Sequence, residues 1–163
     1  MLDNGMTRDE CRFFEAQALC GHCILGSDYY VTNEHHVDPD GTSSDAGETL
    51  GYAMIAHEYA ERYGLAMMHT ETNRDQREHG GEACDWLRRQ FTVVRSLMRS
   101  GVQVVGFTWY SLTDQVDWHI ELREACGVVN PRGLFDLQRR IRPVGEAYRA
   151  LIAAWDGRIG TMS

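Results

Sequence analysis

Basic residues are few in this chain: 16 face 24 acidic ones, giving a net charge of -8 and a pI near 5.3. With no basic stripe to neutralise phosphates, neither nucleic acid nor an anionic membrane surface is an expected partner, and acidic substrates are disfavoured. Long apolar runs are missing too, so no segment reads as a membrane span. The first residues, Met1-Leu2-Asp3-Asn4-Gly5, have neither the basic nor the apolar region of a signal peptide, and the expected location is the cytoplasm. The five cysteines are an odd number, and an apolar fraction of 43% supplies a core that needs no disulfide staples; they are expected to be reduced. At 163 residues the chain is long enough for one domain.

Leu65-Ala66-Met67-Met68-His69-Thr70-Glu71-Thr72-Asn73 is the stretch around which the rest is arranged. Residues 65 to 68 are uncharged and too few for a helix, and Gly64 stops the helical pattern before them, so they read as a strand buried on both faces. Glu71 then falls at the strand's carboxyl end. In α/β folds the loops at that edge converge on one crevice, where ligands are met. A second strand of the same design, Gly101 to Tyr110, ends in Trp109 and Tyr110 and runs on into Ser111, Asp114, Asp117 and Trp118. A carboxylate and a set of aromatic rings are thereby delivered to one rim.

The remaining pattern supplies crossovers. Thr7-Arg8-Asp9-Glu10 has the form of a capping box, opening a helix over 8 to 19 with Phe13, Phe14 and Leu19 on its apolar side. Ile24 to Val31 reads as a strand, ending in Thr32-Asn33-Glu34-His35-His36. Residues 38 to 44 form a turn-rich loop, and a helix over 47 to 63 carries Leu50, Ala53, Met54 and His57 on one side. After polar residues 74 to 81, Ala83, Leu87, Phe91, Val94 and Leu97 or Met98 recur at helical spacing over 82 to 100. An irregular stretch reaches about residue 142, a length that marks a functional or disordered loop. Pro143 opens a last helix whose buried side is Val144, Ala147, Tyr148, Leu151, Ile152 and Trp155. Helix-connected strands of this kind are expected to be parallel, with right-handed crossovers.

Two motifs invite other readings. Cys20-Gly21-His22-Cys23 spells a dithiol redox motif, but a low-pKa thiolate of that type sits at a helix start, and this one precedes a strand pattern. A zinc site lacks its second pair of ligands. His35, His36, His69 and His119 read as rim or packing residues, so neither metal nor cofactor is expected.

The residues at the strand ends resemble the retaining β-glycosidases of glycoside hydrolase family 1, whose best-known members are β-glucosidases. Thr70-Glu71-Thr72-Asn73 resembles the family's Thr-Glu-Asn-Gly segment at the end of strand seven, and Leu25-Gly26-Ser27-Asp28-Tyr29-Tyr30 its strand-six Leu-Gly-x-Asn-Tyr-Tyr. Tyr110-Ser111-Leu112-Thr113-Asp114-Gln115-Val116-Asp117-Trp118 is similar to the strand-eight Trp-Ser-Leu-x-Asp-Asn-Phe-Glu-Trp, and Gly133-Leu134-Phe135-Asp136 to the Gly-Leu-Tyr-x-Asp region beyond it. The resemblance implies an α/β fold: a partial (β/α)8 TIM barrel of about three parallel strands with flanking helices, with residues 1 to 163 as a single carboxyl-terminal fragment. A complete barrel usually takes about 250 residues. It further implies Glu71 as catalytic nucleophile, Tyr30 as the hydroxyl bonded to it, and Asn73, Trp109, Tyr110, Asp117 and Trp118 as substrate-binding residues for a β-glycoside. Three positions depart from the family: Asp117 stands where it has Glu, Tyr110 where it has Trp, and Asp28 where it has Asn. The family's acid/base Glu belongs to a strand-four Asn-Glu-Pro segment that this chain lacks. Asn33-Glu34 imitates it from the wrong strand. The implied activity is therefore that of a glycosidase portion inactive without an amino-terminal half, with that half or self-association as the expected partner; a non-enzymatic carbohydrate-binding remnant or assembly partner is the other expectation.

Overall fold

The computed structural model describes residues 4–17, 20–76 and 80–155. Three strands, β1 (Ile24–Asp28), β4 (Ala66–Glu71) and β5 (Val104–Phe107), form a parallel sheet in the order β1-β4-β5. The helices that connect them, α2 (Gly51–Tyr63) and α3 (Gly80–Arg99), and the last helix, α4 (Pro143–Ala154), cover one face. The architecture is α/β with a three-stranded parallel sheet and flanking helices, and the sheet does not close into a barrel.

An open sheet corrects the expectation that β4 is buried on both faces. Met67 and His69 are buried against the helices, whereas Ala66, Met68 and Thr70 on the other face are only half-buried. On β1 the open face is exposed at Ile24, Gly26 and Asp28. Strand residues alternate between faces, and here a single layer of helices can cover only one of them. At Gly26 the side chain of β4 passes so close that an added Cβ would lie 2.7 Å from the Thr70 methyl.

The helices follow their local signals, with two corrections of face. Helix α1 (Arg8–Ala16) starts on the Thr7–Glu10 capping box, yet none of its residues is buried and Phe13 and Phe14 are each 60% exposed; Leu19 lies outside the described residues. In α2 the buried residues are Tyr52 and Ala56, not Leu50 or Met54, which face solvent. The helix begins four residues later than the pattern suggested, and its end is fixed by Gly64 in the left-handed conformation, φ 60°. Helix α3 matches its expected face, adding Trp86 and Gln90 to the core. In α4, Val144 is fully buried while Ile152, expected inside, is 60% exposed.

Two stretches expected to be loops carry short pairings. β2 (His35–Val37) and β3 (Ser43–Asp45) form an antiparallel hairpin around the 38–42 turn. β6 (Gln115–Val116) pairs with β7 (Val129–Asn130) within the long segment after β5. The Cys20–His22 turn of the dithiol motif leads directly into β1, and Cys11, Cys84 and Cys126 are free thiols.

Candidate active site

The backbone ladder continues past the strand ends and encloses residue 71. The Tyr29 N–H donates to the Glu71 carbonyl at 3.0 Å from one side, and the Tyr110 N–H donates to the Thr72 carbonyl at 3.0 Å from the other. Glu71 is therefore held between the ends of β1 and β5, at the carboxyl edge of the sheet. Its carboxylate accepts the Tyr30 hydroxyl, Oη to Oε2 at 2.6 Å. Burial, then the hydrogen bond and charge of Glu71, then the charge of Asp28 hold the Tyr30 phenol well above its ordinary value, so it remains a donor through the neutral range. Asp28, the register partner of Glu71, accepts the Thr70 hydroxyl at 2.5 Å.

The β5 end contributes a ring surface. Tyr110 and Trp118 lie with ring centroids 6.3 Å apart at 50°, and the Gln115 amide donates to the Tyr110 hydroxyl at 2.6 Å. Trp118 is 40% exposed, leaving a face open to a ligand. Asn130 fixes its backbone, accepting the Trp118 N–H at 2.8 Å. The Tyr110–Ser111 peptide is cis.

Not every expected residue joins this group. Trp109 is buried, and its indole N–H donates to the Arg132 carbonyl at 2.9 Å, so it supports the rim from within the core. Asp117, in a left-handed conformation with φ 57°, turns its carboxylate into its own loop, accepting the N–H groups of Gly127 at 2.9 Å and Val128 at 2.7 Å. Those backbone bonds hold its pKa below the usual carboxylate value. Asn73 is buried just beyond Glu71. The cluster at the rim is Tyr30, Glu71, Tyr110 and Trp118, with Asp28 and Gln115 beside them.

Glu34 is engaged elsewhere. It accepts the N–H groups of Thr49, Leu50 and Gly51 at the start of α2 and the hydroxyl of Tyr29 at 2.5 Å. The Leu50 N–H first, with the Tyr29 hydroxyl next, lowers its pKa to about 2, so it is ionised at any working pH and has no proton to give.

Sequence reasoning passed over several supports. Trp86 donates its indole N–H to Thr72 at 2.8 Å and stacks on Tyr29, with 6.2 Å between centroids, bracing the residue next to Glu71 from behind. Its signal was a position one short of Leu87 on the inner stripe of α3. Asp114 accepts the Gly133 N–H and pairs with Arg142, tying the β5 loop to the start of α4.

Solved structures share this arrangement of strands and helices. A β-glucosidase from Thermotoga maritima in complex with glucoimidazole superposes with a TM-score of 0.62 at 18% identity, over 80% of this chain and 34% of that one. A β-glucosidase from Exiguobacterium marinum gives 0.59 at 17% identity, over 91% of this chain and 42% of that one. The fold is that of part of a β-glucosidase barrel. The chain spans between a third and a little over two-fifths of the length of these two structures. No protein-family profile matches the sequence, and no curated protein matches it.

Proposed function

We propose that the chain is the carboxyl-terminal portion, strands six to eight, of a retaining β-glycosidase, with Glu71 as its nucleophile. The observation that carries this reading is the Tyr30–Glu71 hydrogen bond of 2.6 Å at the carboxyl edge of a parallel sheet. Retaining hydrolysis uses two carboxyl groups about 5 to 5.5 Å apart, one attacking and one protonating the departing oxygen. In the proposed reaction an ionised Glu71 oxygen forms a bond to the anomeric carbon as the bond to the aglycone oxygen breaks. The Tyr30 hydroxyl orients the carboxylate and loosens from it as its charge passes to the ester. Water then cleaves the glycosyl ester.

Trp118 and Tyr110 offer ring faces to the apolar side of a pyranose. Asn73 is the proposed polar contact; Asp117, whose carboxylate accepts the Gly127 and Val128 amides, fastens the 117–128 loop that carries Trp118, and Trp109 backs the rim. The proton donor comes from outside this chain, because Glu34 is committed to the start of α2. No described helix is long and apolar enough to cross a membrane, and a cytoplasmic role in carbohydrate metabolism is the proposed setting.

The test is turnover of an aryl β-glucoside by the chain supplied with the remainder of a β-glucosidase barrel. Glu71→Gln is expected to lower kcat by about a thousandfold or more. Turnover unchanged by that substitution removes the nucleophile assignment.

A further inference from the structure

In a strand of regular pleat, residue 71 would point away from Tyr30. His69 is fully buried against the helices, and Thr72 is buried on the same side, where it accepts the Trp86 indole N–H from α3. Strand side chains alternate between faces, so residues 69 and 72 share a side only if one extra residue stands between them. Both flanks record that residue. On β1, the consecutive residues Ser27 and Asp28 pair with His69 and Glu71, passing over Thr70. On the other flank, beyond the end of β5, Thr108 and Tyr110 donate their N–H groups to the carbonyls of His69 and Thr72, two residues along one chain against three along the other. The irregularity is a bulge in β4 itself, with Thr70 as the residue in excess.

The bulge decides what Glu71 can reach. Without it, residue 71 would share the side of Met67 and His69 and point among the helices, since a one-residue slip carries every later side chain to the opposite face. With it, Glu71 comes out on the open side of the sheet. Tyr30 is turned there as well, because Tyr29 before it is buried and stacks on Trp86. The 2.6 Å bond between Tyr30 and Glu71 therefore depends on the extra residue.

Thr70 is gripped from two directions. Its hydroxyl donates to the Asp28 carboxylate at 2.5 Å, a charge-assisted bond. Where the resembled family has Asn, a neutral acceptor, Asp28 brings charge to this tie. The Thr70 methyl lies over Gly26, where an added Cβ would come within 2.7 Å of it, and a β-branched side chain has little freedom to swing clear. We propose that Thr70, held by Asp28 in the room that Gly26 leaves, is a positioning residue for the site: it locks the bulge that turns Glu71 onto the Tyr30 hydroxyl. The geometric role rests on the fold, and the glycosidase reading supplies only what the turned carboxylate is for.

The test is carbon-13 NMR of the full chain labelled at the tyrosine Cζ, a nucleus sensitive to the hydrogen bond of its phenol. Tyr30→Phe identifies the Tyr30 signal among the seven tyrosines, and Glu71→Ala fixes where that signal falls once the bond is lost. Thr70→Val keeps the side-chain shape and removes the hydroxyl; it is expected to move the Tyr30 signal to its Glu71→Ala position. Thr70→Ser keeps the hydroxyl and is expected to hold the signal at the wild-type position. Asp28→Ala alters an exposed residue, so the chain keeps its fold, and by removing the acceptor it should act as Thr70→Val does. Asp28→Asn retains an acceptor and should act as Thr70→Ser does. A Tyr30 signal unmoved by either Thr70→Val or Asp28→Ala, even where the melting temperature falls, overturns the proposal, as does an equal movement in Thr70→Ser. A signal that follows Thr70 as expected, combined with aryl β-glucoside turnover indifferent to Glu71→Gln, upholds the bulge and removes the nucleophile assignment alone.

Discussion

Tyr30 and Glu71 are coupled through one short hydrogen bond, and the coupling is measurable without any turnover. The phenol is held up by burial and by the Glu71 carboxylate. In Glu71→Gln only the burial and the lesser charges remain, so tyrosinate absorbance of Tyr30 is expected to appear at lower pH than in the wild type; an unmoved titration contradicts the contact. His69, two residues earlier on β4, makes a second residue-scale case. It is fully buried, and its ring centroid lies 4.0 Å from that of Tyr52 and 5.1 Å from that of Phe107. Burial lowers its pKa from 6.5 to about 4. The folded state therefore excludes a proton that the unfolded state accepts. Stability is complete above pH ~6.5 and falls as the pH drops towards 4, by an amount on the order of 3 kcal/mol. Urea melts across that range measure it, and in His69→Gln the slope should largely vanish.

At the scale of elements, what steadies the rim is a set of ties between loops and helices. Glu34 joins the end of β1 to the first amides of α2, so Glu34→Ala should speed hydrogen exchange at Leu50 and Gly51 and lower the melting temperature. Trp86 braces Thr72 from α3, and Trp86→Phe, which leaves the buried Thr72 hydroxyl without its donor, is expected to cost about 1–2 kcal/mol in chemical denaturation. The Asp114–Arg142 pair is different in kind, because the Asp114 side chain is 1% exposed. Asp114→Ala strands the Arg142 guanidinium and frees the Gly133 amide, and a loss of about 3 kcal/mol is expected. A melting curve matching the wild type would show that α4 does not depend on this tie.

For the whole molecule, the ratio of exposed to buried apolar surface matters most. Phe13, Phe14, Ile24, Leu50, Met54 and Ile152 are each at least half exposed, with Ile24 on the edge strand β1 and Ile152 in the groove beside β5. A chain of this size that leaves so much apolar area in water should bind a hydrophobic dye such as ANS in its native state. Ile152→Lys should reduce that fluorescence without changing secondary structure. Dye binding at the background level of a closed globular protein would mean that these surfaces are covered within the chain itself.

How much of this was readable in advance divides along physical lines. The sequence by itself determined the order of the three parallel strands and their helices, the capping box at Thr7, the stop at Gly64, the parallel sense of the sheet and the position of Glu71 at a strand end, because each depends on local conformational preference or on a periodicity carried by consecutive residues. The pairing of Tyr30 with Glu71 was legible only as a resemblance. Tertiary structure alone decided which side of α2 faces inward, that Trp109 lies beneath the rim while Trp118 stands on it, that Asp117 and Glu34 spend their oxygens on backbone amides, and that Ile152 and the α1 phenylalanines stay in solvent. Those outcomes depend on what lies across from each residue. An apolar residue is buried only when something packs over it, and in this chain the sheet stops at three strands.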